Sequence, residues 1–175
     1  SDTYATSQIL AAAINKIGVE KDDIVLCGRQ AIDGDTAQVG PQIAEKLHLP
    51  QITYAAEITK NGDEVTVKRM LEDGYMTIKV QTPCLLTCIK ELNNPRYMSI
   101  GGILSTYSKP LTTLGYEDLK DHPLIDATTI GLKGSPTNIF KSFTPPQKGV
   151  GMMLEGDGKE TCEKLAGILA AKHII

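Results

Sequence analysis

The chain has 175 residues, of which 41% are hydrophobic and 22% charged, with a formal net charge of −3 at pH 7. This length suits one domain with a sizeable core, and the composition is that of an ordinary globular protein. The slightly acidic balance gives no reason to expect nucleic acid or an anionic membrane as partner, and no apolar run reaches the ~18 residues of a transmembrane helix.

The first part of the chain predicts a helix, a strand and a second helix. Residues 8–17 place apolar side chains on one helical face, and residues 23–27 are a short apolar run typical of a buried parallel strand. Residues 39–47 again have a helical apolar face. The side chains that could cap the first helix are Asp2, Thr3, Thr6 and Ser7.

The loop between that strand and the second helix carries the strongest functional signal. It contains Cys27-Gly28-Arg29-Gln30-Ala31-Ile32-Asp33-Gly34-Asp35-Thr36-Ala37-Gln38-Val39-Gly40-Pro41-Gln42. A strand, a polar turn and a helix N-terminus together predict a phosphate site, because the unpaired N–H groups and the helix dipole favour an anion. We expect Gly34 and Gly40 to let a ligand approach the backbone closely. The run matches neither G-x-G-x-x-G nor G-x-x-x-x-G-K-[ST], and an ordinary capped loop has the same topology.

Residues 51–89 predict the rest of a sheet. Residues 51–58, 64–71 and 75–81 form a meander of antiparallel strands, with Ile52, Tyr54 and Ala56 expected on one side of the first. Residues 83–89 form a further buried strand. The fold class is therefore α/β, with a mostly parallel sheet that antiparallel strands extend.

The remaining residues have weaker patterns. Residues 93–97 predict a loop because Pro95 restricts its predecessor, and a short helix follows within 98–107 after a break at 99–102. Residues 138–151 contain prolines and no helical or strand period, yet they carry apolar side chains that would be costly to leave in water. A helix over 158–175 closes the chain.

The ionisable and sulfur-containing residues offer little chemistry of their own. Cys84 and Cys88 have no nearby histidine, so we predict reduced core cysteines and no zinc site. Asp33 and Asp35 fall short of a dedicated metal site. Redox chemistry would have to come from a bound cofactor, because no side chain here carries a hydride or an electron at ordinary potentials.

Four runs resemble the electron-transfer flavoprotein β subunit. The run from Gly28 to Pro41 closely resembles the family's nucleotide-binding signature, and the D-T-x-A-T-S, N-x-P-R-Y and G-x-x-G-S-P-T runs from Asp2, Asn93 and Gly131 are similar to further family runs. The last of these ends a strand in the family. The resemblance covers the C-terminal two thirds of such a subunit and is closest to those of anaerobic bacteria, which include electron-bifurcating members. Human-type subunits carry an acidic residue in place of Gly34.

The resemblance implies a three-layer, Rossmann-like fold of the adenine nucleotide α-hydrolase type. Residues 1–137 would form a nucleotide-binding α/β domain that lacks the N-terminal part of the family fold, and residues 138–175 an arm and helix contacting the α subunit. The cofactor would be FAD, or alternatively AMP. The residues that the resemblance assigns to the bound nucleotide are Asp2, Thr3, Thr6, Cys27, Gly28, Arg29, Gln30, Ala31, Asp33, Gly34, Asp35, Thr36, Ala37, Gln38, Val39, Gly40, Pro41 and Gln42.

The resemblance also implies protein partners. It assigns a recognition loop for dehydrogenases to Pro95, Arg96, Tyr97 and Ile100, with Ile100 as the apolar anchor where some relatives have leucine. It predicts a heterodimer with an FAD-bearing α subunit in the bacterial cytoplasm. That heterodimer would carry electrons between NADH or dehydrogenases and redox partners, including ferredoxin and an acyl-CoA dehydrogenase in a bifurcating member. The alternative is a non-redox nucleotide-binding module with structural AMP.

Overall fold

The computed structural model describes residues 1–175, which divide into two compact units, Ser1–Asn138 and Ile139–Ile175. The first unit contains a five-stranded sheet and several helices. Its strands are β1 (Ile24–Gly28), β2 (Gln51–Asn61), β3 (Glu64–Met70), β4 (Tyr75–Gln81) and β5 (Cys84–Cys88). Its helices are α1 (Thr3–Ile17), α2 (Val39–Lys46), the 3-10 turn Lys90–Leu92, α3 (Ile100–Thr106), α4 (Tyr116–Leu119) and α5 (Gly131–Gly134).

The sheet has the order β1-β5-β2-β3-β4, in which β5 pairs parallel with both β1 and β2, while β3 and β4 continue it antiparallel. This confirms the α/β class and the predicted antiparallel extension. Strand β5 is almost wholly buried because it has a strand on either side and apolar side chains on both faces.

Neighbouring residues of β5 point into two separate cores, as the alternation of a strand requires. Leu85 packs with Ala11 and Ile43 under α1 and α2, whereas Leu86 packs with Ile52 and Val67 on the other side of the sheet. Helix α1 packs against α2, and α2 packs against β5. The core thereby fixes the start of α2 against the end of the parallel strands.

The predicted alternation along β2 is wrong at one point. The pairing register shifts between Ile52 and Ala55, and Tyr54 has a φ of 57°. A bulge adds one residue to the strand, so Ile52 and Ala55 share the core that was expected to hold Ile52 and Tyr54. The backbone N–H of Tyr54 donates to Thr87 Oγ1 at 3.1 Å, which satisfies the N–H group at the bulge.

Three further local predictions need correction. Helix α1 begins at Thr3 rather than near residue 8, because Asp2 Oδ1 accepts the N–H of Ala5 at 2.9 Å and caps it. The residues expected to break the chain at 99–102 instead start α3, where Ser99 Oγ accepts the N–H of Gly102 at 3.1 Å. The run from Gly131 forms one helical turn, α5, and no strand ends there.

The second unit has one regular element, α6 (Gly158–Ala171), which Asp157 caps by accepting the N–H of Glu160 at 3.0 Å. Residues 139–157 have no helix or strand, and no residue of this unit is buried. The chain offers no helix with the length and apolar character required to traverse a bilayer.

Candidate nucleotide-binding site

The polar loop lies where β1 ends and α2 begins. Strand β1 runs parallel with β5, and the loop follows its carboxyl end at Gly28. In open α/β sheets this end of the strands is where ligands bind. The loop residues 31–36 are all exposed, so their side chains and backbone are free to contact a ligand.

The N-terminus of α2 has no side-chain cap. Among the other helices longer than one turn, α1, α3 and α6 are preceded by Asp2, Ser99 and Asp157, and each of those side chains accepts an N–H of the first turn. Gln38 precedes α2 and makes no such bond. The N–H groups of Val39 and Gly40 therefore lack a side-chain acceptor, and an oxygen of a phosphate would supply one.

Two non-glycine residues of the loop have a left-handed backbone. The φ angles are 50° at Asp35 and 53° at Ala37. Such conformations are costly for residues with a Cβ and are concentrated at ligand sites. Gln30 Nε2 donates to Asp35 Oδ1 and closes the turn from within. These two backbone conformations and this hydrogen bond define the shape of the turn.

The two glycines of the loop differ in their surroundings. A Cβ on Gly34 would meet nothing within 4 Å, whereas a Cβ on Gly40 would lie 2.7 Å from Thr87 Cγ2 and 3.5 Å from Cys27 Cβ. On this geometry the missing Cβ of Gly40 makes room for Thr87, and the close approach of a ligand to Gly40 stays a prediction. Gly40 is buried and lets the first turn of α2 press against β1 and β5. Gly34 retains the open surroundings expected of it.

The N-terminus of α1 lies beside the same loop. Thr3 Oγ1 donates to Gln38 Oε1 at 2.9 Å, although the two residues are 35 positions apart. The structure thus brings together the D-T-x-A-T-S run and the start of α2, two sequence features that no local pattern links. Thr6 lies in the next turn of α1 and is partly buried.

Asp2 differs from the other predicted site residues because its carboxylate is already occupied. One oxygen accepts the N–H of Ala5 and the other accepts the N–H of Thr137, each at 2.9 Å. The backbone N–H of Asp2 donates to Ser135 Oγ at 2.9 Å. Ser135 and Thr137 were not among the predicted site residues. The G-x-x-G-S-P-T run was the sequence signal that pointed to them.

The cysteine thiols of β1 and β5 are held in their neutral form. Burial raises the pKa of the Cys27 thiol, and the neighbouring Cys88 raises it further. Burial likewise raises the pKa of Cys84 and Cys88. A neutral thiol is a poor nucleophile and metal ligand. All four cysteines are free, and no group of His, Cys, Asp and Glu could hold a metal ion.

These features define what the site is able to do. It presents uncapped N–H groups, hydroxyls and amides to an anionic ligand, and it has no activated nucleophile. The residues fit the pyrophosphate and ribose of a nucleotide, which the chain would bind and orient without reacting with it.

The predicted docking residues follow β5, the strand that pairs parallel with β1. No hydrogen bond joins Pro95, Arg96, Tyr97 or Ile100 to the loop, and the side chains of Tyr97 and Ile100 are 104% and 79% exposed. Met98, Leu104 and Tyr107 are exposed beside them. Together, residues 95–107 form an exposed apolar surface.

Comparison with known proteins agrees with the fold. Residues 1–119 match the electron transfer flavoprotein domain family, and the chain belongs to that family. It is 67% identical over 176 residues to the acryloyl-CoA reductase electron transfer subunit gamma of Anaerotignum propionicum. It is also similar to the caffeyl-CoA reductase-Etf complex subunit CarD of Acetobacterium woodii, at 52% identity, and to the electron transfer flavoprotein subunit beta of Thermoanaerobacterium thermosaccharolyticum, at 49%.

These matches cover all of this chain and 66%, 65% and 65% of the three relatives, respectively. The chain therefore spans slightly less than two thirds of their length. The predicted family and its members from anaerobic bacteria are confirmed.

Proposed function

We propose that this chain is part of an electron-transfer flavoprotein β subunit that binds FAD in the loop over residues 28–42. Together with an FAD-bearing α subunit, the whole protein would carry electrons between NADH or dehydrogenases and redox partners in the bacterial cytoplasm. The flavin would supply the redox chemistry, taking up a hydride and releasing single electrons. This chain would bind and orient it.

The observation that carries the proposal is the uncapped start of α2 at the end of a parallel strand. Of the helices longer than one turn, α1, α3 and α6 each have a side-chain acceptor at this position, and α2 has none. A diphosphate oxygen would accept from Val39 and Gly40, and the helix dipole would favour its charge. Thr3 and Gln38 lie at the same place and offer polar atoms to a ribose.

FAD is favoured over AMP by the character of the loop. Gly34 stands where human-type β subunits carry an acidic residue, and nothing lies within 4 Å of the position that its Cβ would occupy. An uncharged, open position leaves room for a diphosphate that carries a group at each end, as the diphosphate of FAD does. AMP is the alternative, because the same helix start would hold its single phosphate.

The names of the relatives indicate the class of partner. They include an acryloyl-CoA reductase subunit and a caffeyl-CoA reductase-Etf complex subunit, so we propose a dehydrogenase or reductase of acyl-CoA substrates as acceptor. In a bifurcating reaction, NADH would deliver two electrons as a hydride, and one each would pass to ferredoxin and to the α-subunit flavin. The exposed apolar surface of residues 95–107 would dock the acyl-CoA dehydrogenase, with Ile100 as anchor.

The α subunit is the proposed partner of the second unit. Residues 139–153 hold Phe140 at 101% exposure and Phe143 at 76%, together with exposed methionines, on a segment without regular structure. Apolar side chains in such a segment gain stability by packing against another chain. We propose that the segment wraps the α subunit.

Calorimetric titration of the full-length β subunit with FAD and with AMP tests the nucleotide proposal. Gly34→Val would place a branched side chain into the open face of the loop, and we expect it to weaken FAD binding at least tenfold. Gly74→Val is the matched control, because Gly74 is also exposed with nothing within 4 Å. Equal FAD affinities of the two variants, with unchanged circular dichroism, would refute the site. Tight AMP binding without FAD binding would favour the structural-AMP module.

A further inference from the structure

Asp2 joins two segments that are far apart in sequence. Its Oδ1 accepts the N–H of Ala5 in the first turn of α1, and its Oδ2 accepts the N–H of Thr137, both at 2.9 Å. Its own N–H donates to Ser135 Oγ at 2.9 Å, and that hydroxyl donates to the carbonyl of Gly131 at 2.7 Å. Ser135 is 5% exposed, so water competes little for these bonds.

A second hydrogen bond supports the same junction. Thr129 Oγ1 donates to Gln8 Oε1 at 3.0 Å, and Gln8 is 6% exposed. Residues 129–137 are therefore hydrogen-bonded to α1 at two places, through its N-cap Asp2 and through Gln8, six residues further along the chain. The bond from Ala5 and, more weakly, those from Thr137 lower the pKa of Asp2, which keeps the carboxylate an acceptor at neutral pH.

The first turn of α1 also touches the nucleotide loop. Thr3, the residue after Asp2, donates to Gln38 at the start of α2. The start of α1 thus makes two contacts. Thr3 contacts the nucleotide loop, and Asp2 contacts residues 135–137. The boundary between the two units follows directly in sequence, at Asn138 and Ile139, where the apolar arm begins.

We propose that Asp2 is a positioning residue that couples nucleotide binding in the loop to engagement of the α subunit by the arm. The inference rests on the proposed function of both regions. A nucleotide that orders the first turn of α1 would, through Asp2, also order the segment from which the arm leaves. The α subunit would then lose less conformational entropy on binding. Linkage requires the α subunit to tighten nucleotide binding by the same factor.

Two substitutions separate the junction from the helix cap. Asparagine caps a helix about as well as aspartate, so Asp2→Asn keeps the bond from Ala5 but turns an N–H₂ donor towards the N–H of Thr137. Asp2→Ser also retains a cap but has one oxygen, which cannot serve both N–H groups. Asp157→Asn is the matched control, because Asp157 caps α6 through Oδ1 and makes no bond to a distant segment.

The experiment measures the FAD dissociation constant of the full-length β subunit with and without the α subunit. The ratio of the two constants is the coupling factor, which for linked sites is commonly about 5 to 150. We expect Asp2→Asn and Asp2→Ser to bring this ratio close to one. This expectation does not depend on how each substitution changes the FAD affinity measured without or with the α subunit. Asp157→Asn should leave the ratio unchanged. Circular dichroism checks that each variant is folded.

The outcomes distinguish this inference from the proposed function. A wild-type subunit that binds neither FAD nor AMP overturns the proposed function and the inference with it. Wild-type binding of FAD with a ratio of one, or a ratio that survives both Asp2 substitutions, overturns the inference alone. If Asp2 were only a ligand of the nucleotide, both affinities would fall equally and the ratio would not change, which also contradicts coupling.

Discussion

The sheet of the first unit and residues 139–157 of the second unit place their apolar side chains in opposite environments. In the first unit, Leu85 and Leu86 of β5 are 0% exposed and fill the two cores on either side of the sheet. In the second, Phe140 and Val150 are 101% and 103% exposed. Burial of apolar surface contributes about 25 cal/mol per Å², so the second unit has not gained this stabilisation within the described chain.

The difference shows that apolar content does not by itself define a core. Residues 83–89 are flanked by strands that supply apolar neighbours, whereas residues 139–157 have no regular structure and no periodic face to bury. We therefore propose that the second unit presents a surface for a partner, whereas the sheet of the first unit is a scaffold. The following predictions test this contrast, starting with the largest expected effect.

Removing the two aromatic side chains of the arm should have the largest effect. Each is expected to anchor the α subunit, and truncating one anchor commonly costs about 2 kcal/mol, roughly thirtyfold in affinity. We expect the Phe140→Ala, Phe143→Ala double variant to weaken α-subunit binding roughly a thousandfold, without changing the stability of the first unit. Tyr75→Ala, which removes an aromatic that is 62% exposed on β4, is the control.

Hydrogen exchange gives an independent measurement of the same arm. Mixing with the α subunit should add strong protection across residues 138–153 of the wild-type chain and little in the double variant. Protection that is already complete in the isolated subunit would mean that the arm needs no partner.

Gly40→Val should strongly destabilise the first unit. The new Cβ would lie 2.7 Å from Thr87 Cγ2, and overpacking of this kind costs about 1–3 kcal/mol of unfolding free energy. Gly34→Val, in open surroundings, should change stability by less than about 0.5 kcal/mol. Urea denaturation of the full-length chain provides both values.

Thr87→Ser tests whether Thr87 is the neighbour that Gly40→Val would press against. It removes Cγ2 but keeps the hydroxyl that accepts the N–H of Tyr54. In a double-mutant cycle, Thr87→Ser should restore part of the stability lost by Gly40→Val. No coupling between the two changes would argue against the packing role of Gly40.

Ile100→Ala should weaken docking of an acyl-CoA dehydrogenase by about 2 kcal/mol, roughly thirtyfold, because it truncates the proposed anchor of α3. The measurement is reduction of the dehydrogenase at limiting carrier concentration. Ile17→Ala is matched in exposure, since Ile17 and Ile100 are 77% and 79% exposed. Loss of flavin with unchanged docking would place Ile100 in the cofactor site instead.

Breaking the ion pair between Lys21 and Asp63 should have the smallest effect, a slight change in the free energy of unfolding. Its atoms are 2.7 Å apart, and the pair lowers the pKa of Asp63. A lowered folded-state pKa gives stability that is present above the unfolded pKa of about 3.9 and is lost as pH falls through the folded value. Asp63→Asn should therefore differ slightly from wild type at pH 6 and converge with it below pH ~3. High salt should shrink the difference, because both side chains are exposed.

The sequence was sufficient for features that depend on neighbouring residues. The buried strand β5, the turn at Gly62 and the loop before α2 follow from local apolar runs and turn residues. The lack of regular structure over residues 139–151 also followed from their prolines and missing period. Each of these features is determined within about a dozen residues.

The features that the sequence did not predict depend on distant contacts. Gly40 is a packing glycine only because Thr87 of β5 lies against it. The bulge at Tyr54 depends on the register with β5, and the second role of Asp2 depends on Thr137. No local pattern encodes these neighbours, so they required the tertiary structure.

The measurement that tests the account most directly is the flavin content of the full-length heterodimer. After mild purification, absorbance and nucleotide analysis give the ratio of FAD to protein. The account predicts two FAD per heterodimer for the wild type and one for Gly34→Val, with the α-subunit flavin retained. A folded Gly34→Val heterodimer that still holds two FAD would contradict the assignment of the loop over residues 28–42 as the FAD site.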